Sequence, residues 1–163
     1  GIDRALLSLK SNDFPIYYLS PRGVKLDAQI SNSISKLDGM TLVCGKYEGV
    51  DERVIKHYNM IEISIGDYIL SGGDLAAMVL IDSVVRCLPN VLGNPLTLNE
   101  ESFTNHLLEY PLYTQPRDWK NYKVPDVLLS GDHKKIKNWK IKQSEDITMK
   151  RRPDLWKKYL KLK

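Results

Sequence analysis

Ser64-Ile65-Gly66-Asp67-Tyr68-Ile69-Leu70-Ser71-Gly72-Gly73-Asp74 is the stretch that decides how this chain folds. The residues leading into its glycines, Met60–Ile65, are rich in β-branched and apolar side chains, the pattern of a short buried strand. Beyond the glycines, Leu75–Leu88 is an apolar run of helical length, ended by Pro89, with Asp74 placed to cap it. A strand that turns through a glycine-rich loop into a helix is one unit of a parallel sheet covered by helices.

Upstream, the same alternation repeats. Ile2–Leu9 has apolar residues at helical spacing and stops before Ser11-Asn12-Asp13. Ile16–Leu19 reads as a strand leading into the turn residues Ser20-Pro21-Arg22-Gly23. Asp27 is placed to cap a helix Ala28–Leu37, with Ile30, Ile34 and Leu37 on one face. Met40–Cys44 is a further strand ending at Gly45, and Asp51–Tyr58 a short helix. The fold class expected is α/β with a parallel sheet, in which ligands bind at the loops that follow the carboxyl ends of the strands. After Pro89 the character changes. Residues 1–90 form the α/β domain, 91–100 a turn-rich linker, and 101–163 a basic, helical domain containing Trp119, Trp139 and Trp156.

Charge is unevenly divided along the chain. From Arg117 onward there are 15 Lys/Arg against 6 Asp/Glu, a net of +9, whereas residues 1–116 carry 9 against 14, a net of −5. A basic tail domain points to a polyanionic partner, with nucleic acid first among them, although a solvated basic face has the same composition. No apolar run is long enough to span a bilayer, and no signal peptide is visible. Cys44 and Cys87 lie in apolar stretches without Cys-x-x-Cys spacing, which reads as two buried, reduced thiols in a cytoplasmic protein and no zinc site. The chain opens at Gly1 with a helix already under way, so it is expected to be part of a longer protein.

No G-x-G-x-x-G and no G-x-x-x-x-G-K-[ST] occurs, which disfavours a dinucleotide fold, a nucleotide-dependent oxidoreductase and a P-loop. The three strand-end loops instead offer Ser20-Pro21, Gly45-Lys46-Tyr47-Glu48-Gly49 and the opening stretch. Glycines there allow close backbone approach, while Tyr and Leu supply apolar walls. A neutral or zwitterionic adenosine-bearing ligand, read by backbone N–H and C=O groups, suits such loops better than a pyrophosphate. Any one of them taken alone is an ordinary turn; three in succession shift the reading toward a site. Arg86 sits near the end of the apolar helix, where a cation favours the helix dipole and could equally face a substrate. Glu101 fits either the acidic first turn of a helix or a general base.

Gly45-Lys46-Tyr47-Glu48-Gly49-Val50-Asp51-Glu52-Arg53, together with the opening stretch, strongly resembles the bacterial tRNA (guanine-N1)-methyltransferases of the SPOUT class, the TrmD family. Tyr18-Leu19-Ser20-Pro21, Leu80-Ile81-Asp82-Ser83-Val84-Val85-Arg86, Pro125–His133 and Trp139–Ser144 match the same family, so the resemblance runs from about Ile2 to Leu155. It implies a SPOUT-type parallel sheet with a deep trefoil knot, plus a small helical C-terminal domain that binds tRNA. It implies methyl transfer from S-adenosylmethionine to N1 of the guanine next to the anticodon. The matching donor-binding positions are Tyr18, Leu19, Ser20, Pro21, Gly45, Tyr47, Glu48, Ile65, Gly66, Tyr68, Leu70, Gly72 and Gly73. It further implies a homodimer with the active site shared between subunits, and the family is associated with a magnesium (Mg2+) requirement.

Guanine N1 carries a proton at neutral pH and becomes nucleophilic only as that proton leaves. On the matching positions Glu101 is the general base, and Arg86 is the substrate-binding arginine that stabilises negative charge developing at O6. The family's base is usually Asp, one methylene shorter, and it usually carries His and Arg where Leu112 and Gln115 stand in this chain. The alternative reading, from a different class, is a non-catalytic tRNA-binding fragment.

Overall fold

The computed structural model describes residues 1–9, 14–46, 49–91 and 101–163. The chain divides into two compact units, Gly1–Gly93 and Asn94–Lys163. The part of the linker at 92–100 lies outside the described residues.

The first unit runs α1 (Ile2–Leu7), β1 (Ile16–Lys25), α2 (Ala28–Ile34), β2 (Thr41–Cys44), α3 (Glu52–His57), β3 (Ile61–Ser64) and α4 (Asp74–Val85). The strands form a parallel sheet in the order β2-β1-β3. β1 is central, and its first five residues, Ile16–Ser20, are all buried, as expected for a strand covered on both faces. Side chains of a strand alternate between faces, and two cores follow from that alternation. Tyr17 and Leu19 pack with Ile63, with Ile34 of α2 and with Ala76, Ala77, Leu80 and Val84 of α4. Ile16 and Tyr18 pack on the other side with Leu6 of α1, Val43, Ile55 of α3 and Met60. Leu80 is fully buried.

Local chemistry sets the helix starts. Asp27 caps α2 by accepting a hydrogen bond from the Ile30 N–H at 2.9 Å. Asp51 caps α3, accepting from the Arg53 N–H at 2.8 Å, and the Arg53 guanidinium holds its carboxyl down at about 2. The cap of α4 is Gly73 rather than Asp74, which becomes the first helical residue and places its carboxylate at the positive end of the helix dipole.

Two expectations need correction in this unit. The first strand does not stop at Leu19. Ser20-Pro21-Arg22-Gly23 is an excursion within β1: Leu19 and Val24 both pair with Ile63, and Lys25 then pairs with Ser64. Chain return is possible because Gly23 lies against the β3 backbone, where an added Cβ would come within 2.3 Å of the Glu62 carbonyl carbon. The second correction concerns Cys44, which is exposed, and Cys87, which is half-buried. Cys44 is the last residue of β2, where the sheet opens into the loops, so the apolar run before it does not enclose it.

The second unit contains a short 3-10 turn (Thr104–His106), a hairpin of β4 (Asp118–Trp119) and β5 (Tyr122–Lys123), then α5 (Asp126–Leu129), α6 (His133–Arg151) and α7 (Pro153–Leu160). The hairpin was not expected in a domain read as helical. Its strands are too short to show periodicity, and it is closed by Lys120 and Asn121, both at positive φ as a tight two-residue hairpin turn requires. Asp132 caps α6 through the Lys135 N–H at 3.0 Å, and Pro153 opens α7 where its missing N–H costs nothing. Leu155, Ser144 and Thr148 are buried in this unit. Thr148 is fully enclosed: its hydroxyl donates to the Ser144 carbonyl at 2.6 Å and accepts from the Leu108 N–H at 2.8 Å. Tyr159 donates to Glu145 at 2.6 Å, and Lys163 pairs with the same carboxylate at 2.6 Å, holding it below the usual range.

Candidate functional site

The excursion within β1 and the loops after β2 and β3 converge around a cavity of about 430 Å³. Of the thirteen donor-binding candidates, the eleven that are described all line it; Tyr47 and Glu48 lie outside the described residues. Arg22, Lys46, Gly49, Val50 and Ser71, which were not among the donor-binding positions, also line the cavity. Arg22 enters through the excursion in β1, which sequence periodicity does not reveal.

Two of the loops touch backbone to backbone. The Gly73 N–H donates to the Gly45 carbonyl at 2.8 Å, and Lys46 bridges Gly72 in antiparallel fashion. A Cβ on Gly73 would stand 2.9 Å from the Cys44 Cα and 3.0 Å from the Gly45 nitrogen, so only glycine permits this closeness. The loop after β3 is fixed at its start by Ser64, whose hydroxyl donates to the Gly66 carbonyl at 3.0 Å and lies 3.2 Å from the Gly66 N–H. Gly66 takes a φ of +155°, open to glycine and strained for side-chain-bearing residues. The Tyr18 ring packs beneath Gly45, where a Cβ would approach it to 3.1 Å. Tyr68 donates to the Ile65 carbonyl at 3.3 Å and leaves much of its ring exposed.

Charge is placed around the cavity with restraint. Arg22 is held by Glu62 at 3.0 Å and Glu52 at 3.2 Å, both acceptors raising its already high pKa, Glu62 foremost. Lys25 pairs with Asp67 at 2.9 Å. Burial, followed by the nearby Asp74 charge, pushes the Cys44 thiol up, which keeps it protonated and a poor nucleophile. Among the described residues no three His, Cys, Asp or Glu side chains gather as a metal site. The cavity is therefore lined by glycine backbone, tyrosine and aliphatic side chains, with Arg22 and Lys46 as the cations on its wall.

The two residues assigned to proton and charge handling lie outside that lining. Arg86 is the C-cap of α4, its N–H donating to the Asp82 carbonyl at 3.2 Å, which is the helix-end position its sequence context suggests. Glu101 belongs to the second unit, and its carbonyl accepts from the Thr104 N–H at 3.3 Å.

The family model described as tRNA (Guanine-1)-methyltransferase TrmD matches residues 1–158. A tRNA (guanine-N(1)-)-methyltransferase of Pelagibacter ubique (strain HTCC1062) is 58% identical over 146 residues, covering 90% of this chain and 64% of that protein. The one of Ruegeria sp. (strain TM1040) is 51% identical, covering 98% of this chain and 65% of its own length. That of Rhodospirillum rubrum is 50% identical, with coverage of 98% and 66%. This chain thus spans slightly less than two thirds of the length of these curated relatives.

Proposed function

Because the chain belongs to the tRNA (Guanine-1)-methyltransferase TrmD family, and so to the SPOUT fold, we propose that it transfers a methyl group from S-adenosylmethionine to N1 of the guanine next to the tRNA anticodon. The observation that carries the proposal is the cavity, where every described donor-binding candidate lies on one wall or another. Tyr18, Leu70 and the Tyr68 ring supply apolar surface for an adenosine, while the amides of the Gly45 and Gly72-Gly73 loops supply donors and acceptors. Bound there, S-adenosylmethionine supplies a methyl carbon already activated by its positive sulfur.

The chain's own residues then have two tasks. The Glu101 carboxylate takes the proton from guanine N1, whose lone pair bonds to the methyl carbon as the carbon–sulfur bond breaks and its electron pair stays on the sulfur of the neutral thioether product; the Arg86 guanidinium stabilises the charge that builds on O6. Positioning does most of the rest, since a preformed chamber replaces the entropy cost of aligning two reactants. The contact between the Gly45 and Gly73 backbones supports the trefoil knot expected of the fold, in which the loops are threaded and rigid. A homodimer with the active site shared between subunits accords with the apolar residues that α4 leaves exposed, among them Leu75, Met78, Val79 and Ile81. In this arrangement Glu101 serves the partner's cavity. The second unit, with its excess of Lys and Arg, is the part that meets the tRNA backbone. For the magnesium associated with the family, the described residues gather no carboxylate or histidine cluster. No helix of the described residues is long and apolar enough to cross a membrane. The cytoplasm, where tRNA is modified and used, is the compartment this reading assigns.

Transfer of labelled methyl groups to a tRNA transcript with guanosine after the anticodon tests the reading. The protein is expected to label it, and Glu101→Ala to reduce turnover by roughly 10²–10⁴-fold, the usual contribution of a general base, with donor affinity near normal. Tight tRNA binding with no transfer by the unaltered protein would favour the non-catalytic alternative. Unchanged turnover in Glu101→Ala would remove the assigned base.

A further inference from the structure

The second unit carries a cavity of its own, about 510 Å³ in volume, between the Leu112–Pro116 segment and the β4–β5 hairpin. Its walls include the rings of Tyr113, Trp119 and Tyr122, the Gln115 amide and Lys123. The aromatic side chains on the hairpin face water: Trp119 is 57% and Tyr122 76% exposed. Their rings sit 6.4 Å apart at 32° to one another, directly across the hairpin. Large aromatic groups held this openly lose the benefit of burial, which makes them candidates for a ligand's contact surface rather than for a core.

Cations surround these rings. The Lys120 ammonium lies 4.9 Å from the centre of the Trp119 ring, and Arg117, Lys120 and Lys123 are all exposed on the same short hairpin segment. The nearby Asp118 carboxylate is engaged by the turn itself, accepting from the Asn121 N–H at 3.1 Å. Exposed aromatic faces interleaved with Lys and Arg form a surface on which an unstacked base can lie while its phosphates meet the cations. Gln115, with an amide donor and acceptor on the wall, is suited to the polar edge of such a base.

We propose that this hairpin cavity receives an unpaired nucleobase of the bound tRNA, stacked on Trp119 and Tyr122 and anchored through its phosphates by Lys120 and Lys123. The proposal rests on the tRNA-binding reading of the second unit and adds a base-stacking subsite outside the donor cavity. It separates two contributions to RNA affinity. Loss of a ring removes stacking and changes affinity with little effect on its salt dependence, whereas loss of Lys123 flattens the salt dependence by about one phosphate contact.

The test is fluorescence anisotropy with an end-labelled tRNA transcript, measured over a range of salt concentrations. Trp119→Leu and Tyr122→Ala are each expected to weaken binding by roughly tenfold or more, the scale of one base–aromatic stack, while Trp119→Phe stays within a few-fold of the parent. Leu and Phe both shorten the side chain and stay apolar, but only Phe keeps an aromatic face, so the two variants together separate stacking from hairpin stability. Equal affinity for the parent, Trp119→Leu and Tyr122→Ala would overturn the subsite while leaving tRNA binding intact. Equal losses in the Phe and Leu variants would also overturn it, since a ring would then confer no advantage. A parent protein that does not bind the transcript would overturn both the subsite and the reading on which it rests.

Discussion

Gly73 shows how a single residue shapes the donor cavity. Its missing side chain lets the loop before α4 lie against the end of β2, and its N–H closes the contact onto the Gly45 carbonyl. The three atoms nearest to such a Cβ, the Cys44 Cα and carbonyl carbon and the Gly45 nitrogen, are main-chain atoms that cannot rotate away. Gly73→Ala is therefore expected to move two walls of the cavity at once and to weaken binding of S-adenosylhomocysteine, the demethylated product, by about tenfold or more, equivalent to about 1.4 kcal/mol. Ser33→Ala, at an exposed position of α2 outside the cavity lining, serves as the comparison and should change affinity little. Titration of both variants with that ligand decides the matter, and parent-like affinity in Gly73→Ala would contradict the account. Glycines and tyrosines of this kind were legible in the sequence because they follow strand ends. Arg22 was not, because its position depends on a detour of β1 whose return is set by contact between Gly23 and the β3 backbone.

At the scale of elements, legibility follows length and capping. Asp27 announces α2 and makes the expected hydrogen bond, whereas Asp51, read as the first residue of a short helix, is the cap of α3. α4 is apolar enough to be read directly, although its cap moves back to Gly73. The β4–β5 hairpin is hidden because two-residue strands have no period to read; Asn121 at a hairpin turn is its main local sign. The second unit also depends on a polar contact that composition does not reveal. Thr148 on α6 satisfies the Leu108 N–H at 2.8 Å from a fully buried position. Thr148→Val keeps the shape and removes the acceptor, with an expected cost of about 1–3 kcal/mol. Thermal unfolding should show Tm lowered by roughly 2–4 °C for each kcal/mol lost, with Thr148→Ser much closer to the parent. An unchanged Tm in Thr148→Val would show that the buried bond contributes nothing.

At the scale of the whole molecule, the two compact units differ in charge: Gly1–Gly93 holds 9 Lys/Arg against 11 Asp/Glu, a net of −2, and Asn94–Lys163 holds 15 against 9, a net of +6. The parallel sheet was legible because strand and helix alternate with short connections, and the meeting of the three loops follows from parallel strands sharing one carboxyl edge. Neither pattern says that the Gly45 and Gly73 loops lie backbone to backbone; that depends on contacts between residues distant in sequence. Donor binding is the claim from which methyl transfer, the base and the tRNA surface all follow. Calorimetric titration of the unaltered protein with S-adenosylhomocysteine tests it most directly. The account predicts saturable heat and a negative heat-capacity change as apolar surface is buried in the chamber. No heat at any temperature, with ligand in large excess over folded protein, would contradict it.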